Sequence, residues 1–184
     1  MEAQFPQKGD VVFRKEGGRA CFMTTRRAGP IELGLMAEGY KEASNVLIEH
    51  LDKHGRDDVL IYPIIFGYRQ YLELRVKALT RLVNKFDEAD EEFKRTHDLQ
   101  RLWSKIRSRL AEELDEENRD AFETVENVIM EFHEIDPKSD RLRFPSEIEQ
   151  LYIDLQNMRD MMERVSVFLD SLSDSWEAGV DAKF

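Results

Sequence analysis

Apolar positions along most of the chain recur every three or four residues, which is the period of a helix with one buried face. The pattern begins at Ile31 and runs to Trp176, and it is interrupted near His54-Gly55, in the acidic link 87–92, before Glu117 and at Asp136-Pro137. The residues at these interruptions are glycine, acidic residues or the residue that precedes a proline, and such residues mark helix boundaries. The pattern therefore predicts a mainly α fold, a bundle of about five helices.

The most apolar of the predicted helices runs from about Val59 to Phe86. Residues 59–66 are apolar on every side, which predicts a fully buried segment, and Pro63 is tolerable there only in the first turn. Further along, one stripe continues through Tyr68, Leu72, Leu79 and Val83. We expect this to be the central helix of the bundle.

The last predicted helix has a three-four alternation of apolar residues from Ile148 to Trp176. Such a seam requires a long partner helix. The flanking positions lack the complementary charges of a free coiled coil, which favours packing within the bundle, while dimerisation through this helix stays open as an alternative.

The two ends of the chain differ from this pattern. Residues 10–24 alternate around Gly17-Gly18, which predicts a small N-terminal β-hairpin. The predicted organisation is a hairpin or arm at 1–30, the helical bundle at 31–176 and a flexible C-terminal tail at 177–184.

Composition narrows the range of partners. With 27 basic and 38 acidic residues the formal charge is -11, which repels nucleic acid at long range and makes DNA an unsuitable partner. Cys21 is the only cysteine, so no intramolecular disulfide forms. The chain has no signal-peptide pattern and no apolar run long enough to cross a membrane, which predicts a cytoplasmic protein.

Charged residues on the central helix are the first candidates for a site. Arg75 falls within the apolar stripe, and Arg69 and Glu73 lie on its flank one turn apart. Buried guanidinium groups need acceptors, so the favoured interpretation is a structural ion pair. The alternative makes Arg69 and Arg75 clamps for a phosphate or carboxylate, together with Arg141 and Arg143, which share one side of an extended segment.

Catalytic and metal chemistry have weaker sequence signals. His97, in the first turn of its helix, is a candidate general acid or base, with Glu73 as a second candidate. Glu131 and His133 do not have the spacing of a di-iron bundle site. Because phosphate loops and nucleophile elbows are also missing from the sequence, we expect no metal and no cofactor.

Three segments resemble a group of uncharacterised bacterial proteins: Tyr62–Arg75, which contains Tyr-Arg-Gln-Tyr-Leu-Glu-Leu-Arg; His97–Trp103, which begins His-Asp-Leu; and Glu134–Pro145, which contains Glu-Ile-Asp-Pro and Arg-Phe-Pro. The order of a long helix, a helix headed by His-Asp-Leu and two further helices also resembles the HEPN superfamily.

The HEPN resemblance implies a helical bundle that commonly dimerises and acts on RNA in toxin, abortive-infection or phage-defence systems. It also implies RNA cleavage by a paired Arg-x4-6-His motif at the dimer interface. This sequence departs from that motif, because none of its four histidines has an arginine five to seven residues before it. Cleavage by that route is therefore not expected.

Two functions follow from the sequence. The first is a non-catalytic HEPN-like interaction or nucleotide- and RNA-sensing component of a bacterial phage-defence or toxin-antitoxin system, working as a homodimer or with a partner protein. The alternative is a metal-independent ribonuclease toxin with a nonstandard site built from His97, Glu73 and the arginines. The absence of the Arg-x4-6-His motif favours the non-catalytic function.

Overall fold

The computed structural model describes residues 29–55, 58–89, 96–142 and 152–183. The predicted N-terminal hairpin, Arg143 and the predicted start of the last helix at Ile148 lie outside the described residues. In the described ranges the secondary structure is helical, and none of the described helices has the length and apolar character needed to cross a bilayer.

Five α-helices make up the described part of the chain, which confirms the predicted mainly α fold. They are α1 (Pro30–His54), α2 (Ile61–Phe86), α3 (Leu99–Glu112), α4 (Arg119–Ile135) and α5 (Leu155–Lys183). Short 3-10 turns at Asp58–Leu60 and Glu116–Asn118 lead into α2 and α4.

Helix α2 is the centre of the bundle, as its apolar stripe predicts, but the prediction that residues 59–66 are fully buried is wrong, because Val59 and Tyr62 are 72% and 51% exposed. It packs against α1, α3 and α5, while α3 also packs against α4. Tyr68, Leu72 and Leu79 of α2 are fully buried, as is Trp103 of α3, whose ring lies against Phe122 of α4. Each large apolar side chain buried in this way stabilises the fold by about 1.5–3 kcal/mol.

The ends of α5 differ from the prediction. The helix begins at Leu155, because the Asp154 carboxylate accepts a hydrogen bond from the backbone N–H of Asn157 at 3.0 Å and so acts as the N-cap. At its other end α5 continues to Lys183, beyond the predicted limit at residue 176. Val180 extends the buried face by one more turn, and Lys183 Nζ donates to the backbone oxygen of Phe86 at 2.6 Å.

A close helix contact joins α1 to α2 at Gly67. The Ser44 hydroxyl donates to the backbone oxygen of Ile64 at 3.0 Å, with the oxygen of Tyr40 at 3.1 Å as a second acceptor. A Cβ atom on Gly67 would collide with Ser44 Oγ and lie 3.1 Å from the Tyr40 oxygen. The absence of a side chain at Gly67 therefore allows the two helices to approach this closely.

We predict that Gly67→Ala lowers the free energy of unfolding by about 1–3 kcal/mol, because the added methyl group must displace the Ser44 hydroxyl and push α1 away from α2. Gly39→Ala, measured at chain concentrations too low for self-association, is the matched control. Its Cβ would meet nothing within 4 Å on the exposed side of α1, so helix propensity should raise stability by up to about 1 kcal/mol. Urea unfolding of both variants checks this, and equal effects would contradict the close contact.

Candidate functional site

Helix α2 carries two buried arginines six residues apart, in separate surroundings. Arg69 is fully buried and faces the segment just before α3 and the turn just after α4. Arg75 is 7% exposed and faces α1 and α5. Six residues turn a helix by about 600°, so the two side chains leave α2 in different directions. The structure therefore does not bring the two candidate arginines into one site.

The Arg69 guanidinium connects three parts of the chain. Its Nη1 donates to Glu73 Oε2 at 2.9 Å, its Nη2 to the backbone oxygen of His97 at 2.6 Å and its Nε to the backbone oxygen of Asp136 at 3.0 Å. A buried guanidinium is tolerated when its charge and its donors are matched in this way. Arg69 thereby holds the start of α3 and the end of α4 against the middle of α2.

Glu73 is the counter-charge of this network and is only 2% exposed. Its Oε1 accepts from Lys77 Nζ at 2.5 Å and contacts His97 Nδ1 at 2.9 Å. Burial by itself raises the pKa of Glu73, but the hydrogen bond and charge of Lys77, followed by Arg69 and His97, outweigh burial and leave the pKa below its ordinary value. Glu73 is therefore an ionised carboxylate with cationic groups on both oxygens.

Asp136 organises the turn that follows α4. It precedes Pro137 with non-helical backbone (φ -141°, ψ 75°), which ends the helix as the sequence predicts. Its Oδ1 accepts from the backbone N–H groups of Asp140 at 2.7 Å and Arg141 at 3.0 Å, and its Oδ2 lies 3.5 Å from Arg69 Nε. The carboxylate shapes the turn and adds negative charge beside Arg69.

His97 is the most exposed member of the network, since 63% of its side chain is exposed against 14% for Lys77. The contact with Glu73 uses Nδ1, which leaves Nε2 as the ring nitrogen for another partner. An imidazole held by a carboxylate is the arrangement found in general acid–base catalysis. Here the same carboxylate also binds Lys77 and Arg69, so its charge is shared among three groups.

Arg75 has a different set of neighbours. Its Nη2 donates to an Asp170 carboxylate oxygen and lies 3.3 Å from Ser173 Oγ, both on α5. Its Nε is buried without a hydrogen-bond partner in the described structure. Arg75 is thus only partly satisfied by the protein.

The predicted site residues are only partly assembled. Arg69, Glu73 and His97 meet, Arg75 lies apart from them, and the Arg141 side chain is on the surface. Sequence analysis missed Asp136, Lys77 and Asp170 as partners. The sequence could have identified Lys77 as a partner, because it follows Glu73 by four residues on the same helix. Asp136 was interpreted only as a helix end.

Within the described ranges, no group of three or more His, Cys, Asp or Glu side chains is arranged to hold a metal ion. No protein-family model matches this chain, and neither does any curated protein or solved structure. What the domain does has to be inferred from its own surfaces and contacts.

We predict that Glu73→Gln lowers the free energy of unfolding by about 3 kcal/mol at neutral pH, because it leaves the Arg69 charge buried with less neutralisation. Glu113→Gln is the matched control, since Arg109 and Glu113 form the same Arg–Glu pair at the same four-residue spacing on the surface. We expect that change to cost at most about 0.5 kcal/mol.

The effect of Glu73→Gln on the free energy of unfolding should depend on pH. Because the pKa of Glu73 in the folded chain lies below the ordinary 4.5, its ionised form stabilises the fold above that pH, and this contribution is lost as the pH falls through the lowered pKa. The stability difference between the wild type and Glu73→Gln should therefore shrink in acid. A constant difference from neutral to acidic pH would contradict an ionised Glu73.

Proposed function

We propose that this chain is a non-catalytic, HEPN-like interaction domain that pairs with a second copy of itself through the outer face of α1. The observation that carries the proposal is an unusual exposure of large apolar side chains on that helix. Nine large apolar residues are exposed in the described part of the chain, and five of them lie on α1: Ile31, Leu35, Met36, Tyr40 and Val46. A concentration of exposed apolar side chains on one helix is typical of interaction sites.

The arrangement of these residues supports a helix-on-helix contact. Ile31, Leu35 and Val46 fall on one face of α1, with the exposed small residues Gly39 and Ala43 between them. The opposite face of α1 is already buried on α2. Small residues at the middle of the outer face allow a second helix to approach closely, with larger apolar side chains on either side.

Charge at the two ends of this face indicates which partner fits. Glu32 lies at the N-terminal end of α1, and His50 and Lys53 lie near the C-terminal end, all three exposed. In an antiparallel pair related by a twofold axis, Glu32 of one copy would lie near the partner subunit's His50 and the partner subunit's Lys53. The ends of the face are therefore complementary in a symmetric dimer, while the exposed Glu42 lies near the middle of the face and Lys53 also pairs with Glu49 of its own chain at 3.7 Å.

The arginines favour an interaction role over nucleotide or RNA sensing. Arg69 uses its guanidinium inside the protein, and Arg75 lies beside the Asp170 carboxylate. A phosphate would need several uncommitted cationic groups converging at one place. The HEPN-like resemblance adds to the case for a dimer, and a role in a bacterial phage-defence or toxin-antitoxin system is part of the same proposal.

A ribonuclease is the second candidate, and the contact between His97 and Glu73 is the observation in its favour. The exposed imidazole is oriented by a carboxylate at 2.9 Å, as a general base would require. Against it, Lys77 and Arg69 share that carboxylate and reduce its ability to stabilise an imidazolium. We therefore rank catalysis second.

We predict that Leu35→Glu weakens self-association by about 4 kcal/mol, because the change removes an apolar contact of roughly 2 kcal/mol and occurs twice in a symmetric dimer. Val167→Glu is the matched control, since Val167 is exposed to the same degree (70% against 69%) but lies on α5. Sedimentation equilibrium over a range of concentrations measures the effect. A wild-type chain that stays monomeric, or equal effects of the two substitutions, would refute the proposed interface.

We also predict that the purified full chain does not cleave mixed RNA in the presence of a chelator, and that His97→Gln leaves this result unchanged. The substitution keeps the buried Arg69–Glu73 pair, so the variant should remain folded, which circular dichroism can verify. Robust cleavage by the wild type that disappears in His97→Gln would reverse the ranking of the two functions.

A further inference from the structure

Two histidines lie on the exposed side of α1, close to its C-terminal end. His50 and His54 are four residues apart, so their side chains leave the same side of the helix one turn apart. Their rings stack, with centroids 4.3 Å apart and an angle of 24° between the ring planes. Two histidines at this spacing on a helix can bind one metal ion together, as they do in helical zinc sites. His50 and His54 are thus placed to act as a pair of ligands.

The hydrogen bond of His54 selects the ring nitrogen that would bind a metal. Its Nδ1 lies 3.0 Å from the backbone oxygen of His50, and because a carbonyl oxygen only accepts, Nδ1 must carry the proton. The lone pair of the neutral ring is then on Nε2. Histidines that bind metals usually donate their other ring N–H to an acceptor in this way, which fixes the orientation of the ring. His54 therefore has the tautomer that a metal ligand requires.

The spacing of the two rings and the charge around them both suit a divalent cation. A tetrahedral zinc ion bound by two imidazoles holds their nitrogens about 3.3 Å apart. Exposed rings with centroids 4.3 Å apart can reach this separation by side-chain rotation. The C-terminal end of a helix has partial negative charge, which favours a cation. The neighbouring Lys53 lies 3.7 Å from Glu49 of its own chain, which offsets the charge of the lysine.

A third ligand must come from outside the chain, since the described residues of one copy contain no group of three side chains arranged for a metal. The interface proposed above supplies one. Glu32 and His50 are 18 residues apart, which is five full turns, so they lie on one line along the exposed side of α1. In the antiparallel pair, Glu32 of the partner subunit therefore lies beside His50. Two histidines and one carboxylate form a known zinc ligand set, with water in the fourth position.

We propose that His50 and His54 bind a zinc ion, and that Glu32 of the partner subunit completes the site, so that zinc strengthens the pairing of two copies. The histidine pair binds the ion in a single copy, whereas the carboxylate ligand rests on the proposed dimer. The twofold axis gives each dimer two such sites. Such a site would contradict the prediction from the sequence that no metal binds.

Zinc binding and dimerisation must strengthen each other by the same factor, because the linkage between two binding events is reciprocal. We expect the carboxylate to tighten zinc binding about tenfold at each site, so saturating zinc should tighten dimerisation about a hundredfold. Isothermal titration calorimetry with zinc chloride measures the first effect on the full chain. Sedimentation equilibrium in zinc chloride and in a chelator measures the second. Magnesium chloride should produce neither effect, because magnesium prefers oxygen ligands.

A matched variant tests the spacing of the two histidines. His54→Gln combined with Asp52→His keeps two histidines near the end of α1, but they are then two residues apart and do not face each other. Zinc should bind this double variant at least about tenfold more weakly than the wild type, because the ion can contact only one of its imidazoles at a time. Circular dichroism verifies that the double variant is folded.

Two further variants separate the histidine pair from the dimer. Leu35→Glu, which should be monomeric, should still bind zinc with the affinity of the two histidines alone. Glu32→Gln should lower the zinc affinity about tenfold in the wild-type chain but not in the Leu35→Glu background, where no partner subunit is present. This difference would identify the carboxylate as a ligand that comes from the second copy.

The failure of this inference and the failure of the proposed dimer give different results. If the chain dimerises in the chelator, but zinc does not bind or binds the double variant equally well, the zinc site is overturned and the dimer stands. If the chain is monomeric in both zinc and the chelator, the proposed dimer is overturned together with the carboxylate ligand. If the chain dimerises and Glu32→Gln leaves the zinc affinity unchanged, the bridging role of zinc is overturned.

Discussion

The fold depends on neutralising the buried guanidinium of Arg69. A charge in the protein interior must replace its lost hydration with nearby acceptors, and Arg69 does so with the carboxylate of Glu73 and the backbone oxygens of His97 and Asp136. Two of these acceptors belong to segments between helices. The ends of α3 and α4 are therefore placed by an electrostatic requirement as well as by apolar packing.

The two arginines of α2 show how neighbouring charges determine the role of a residue. Arg69 is enclosed by acceptors from its own chain, whereas Arg75 has its charge balanced by Asp170 but keeps an unpaired donor. The first contributes to a rigid interior network. The second lies at the edge of a cleft that is also lined by Asp170, Asp174 and Glu177, so this arginine borders a surface rich in negative charge.

Local patterns predicted much of this architecture. The stripe on α2, the one-turn spacing of Arg69 and Glu73 and the helix end at Asp136 all depend on residues close in sequence. The other acceptors of Arg69 lie 28 and 67 residues away and are backbone oxygens, which any residue type supplies. The Asp170 partner of Arg75 is 95 residues away, so no sequence spacing could identify it. The continuation of α5 to Lys183 could have been predicted from Val180, which follows Trp176 by four residues. The contact of Lys183 with Phe86 is long-range and could not.

The distance of Asp136 from Arg69 along the chain has a consequence for synthesis on the ribosome. Helices α1 and α2 leave the exit tunnel first, when Glu73 is the only one of the three acceptors already made. Until residue 136 follows, the Nε donor of Arg69 lacks its acceptor and still requires water. The set of acceptors around Arg69 is therefore complete only after the end of α4 has been synthesised.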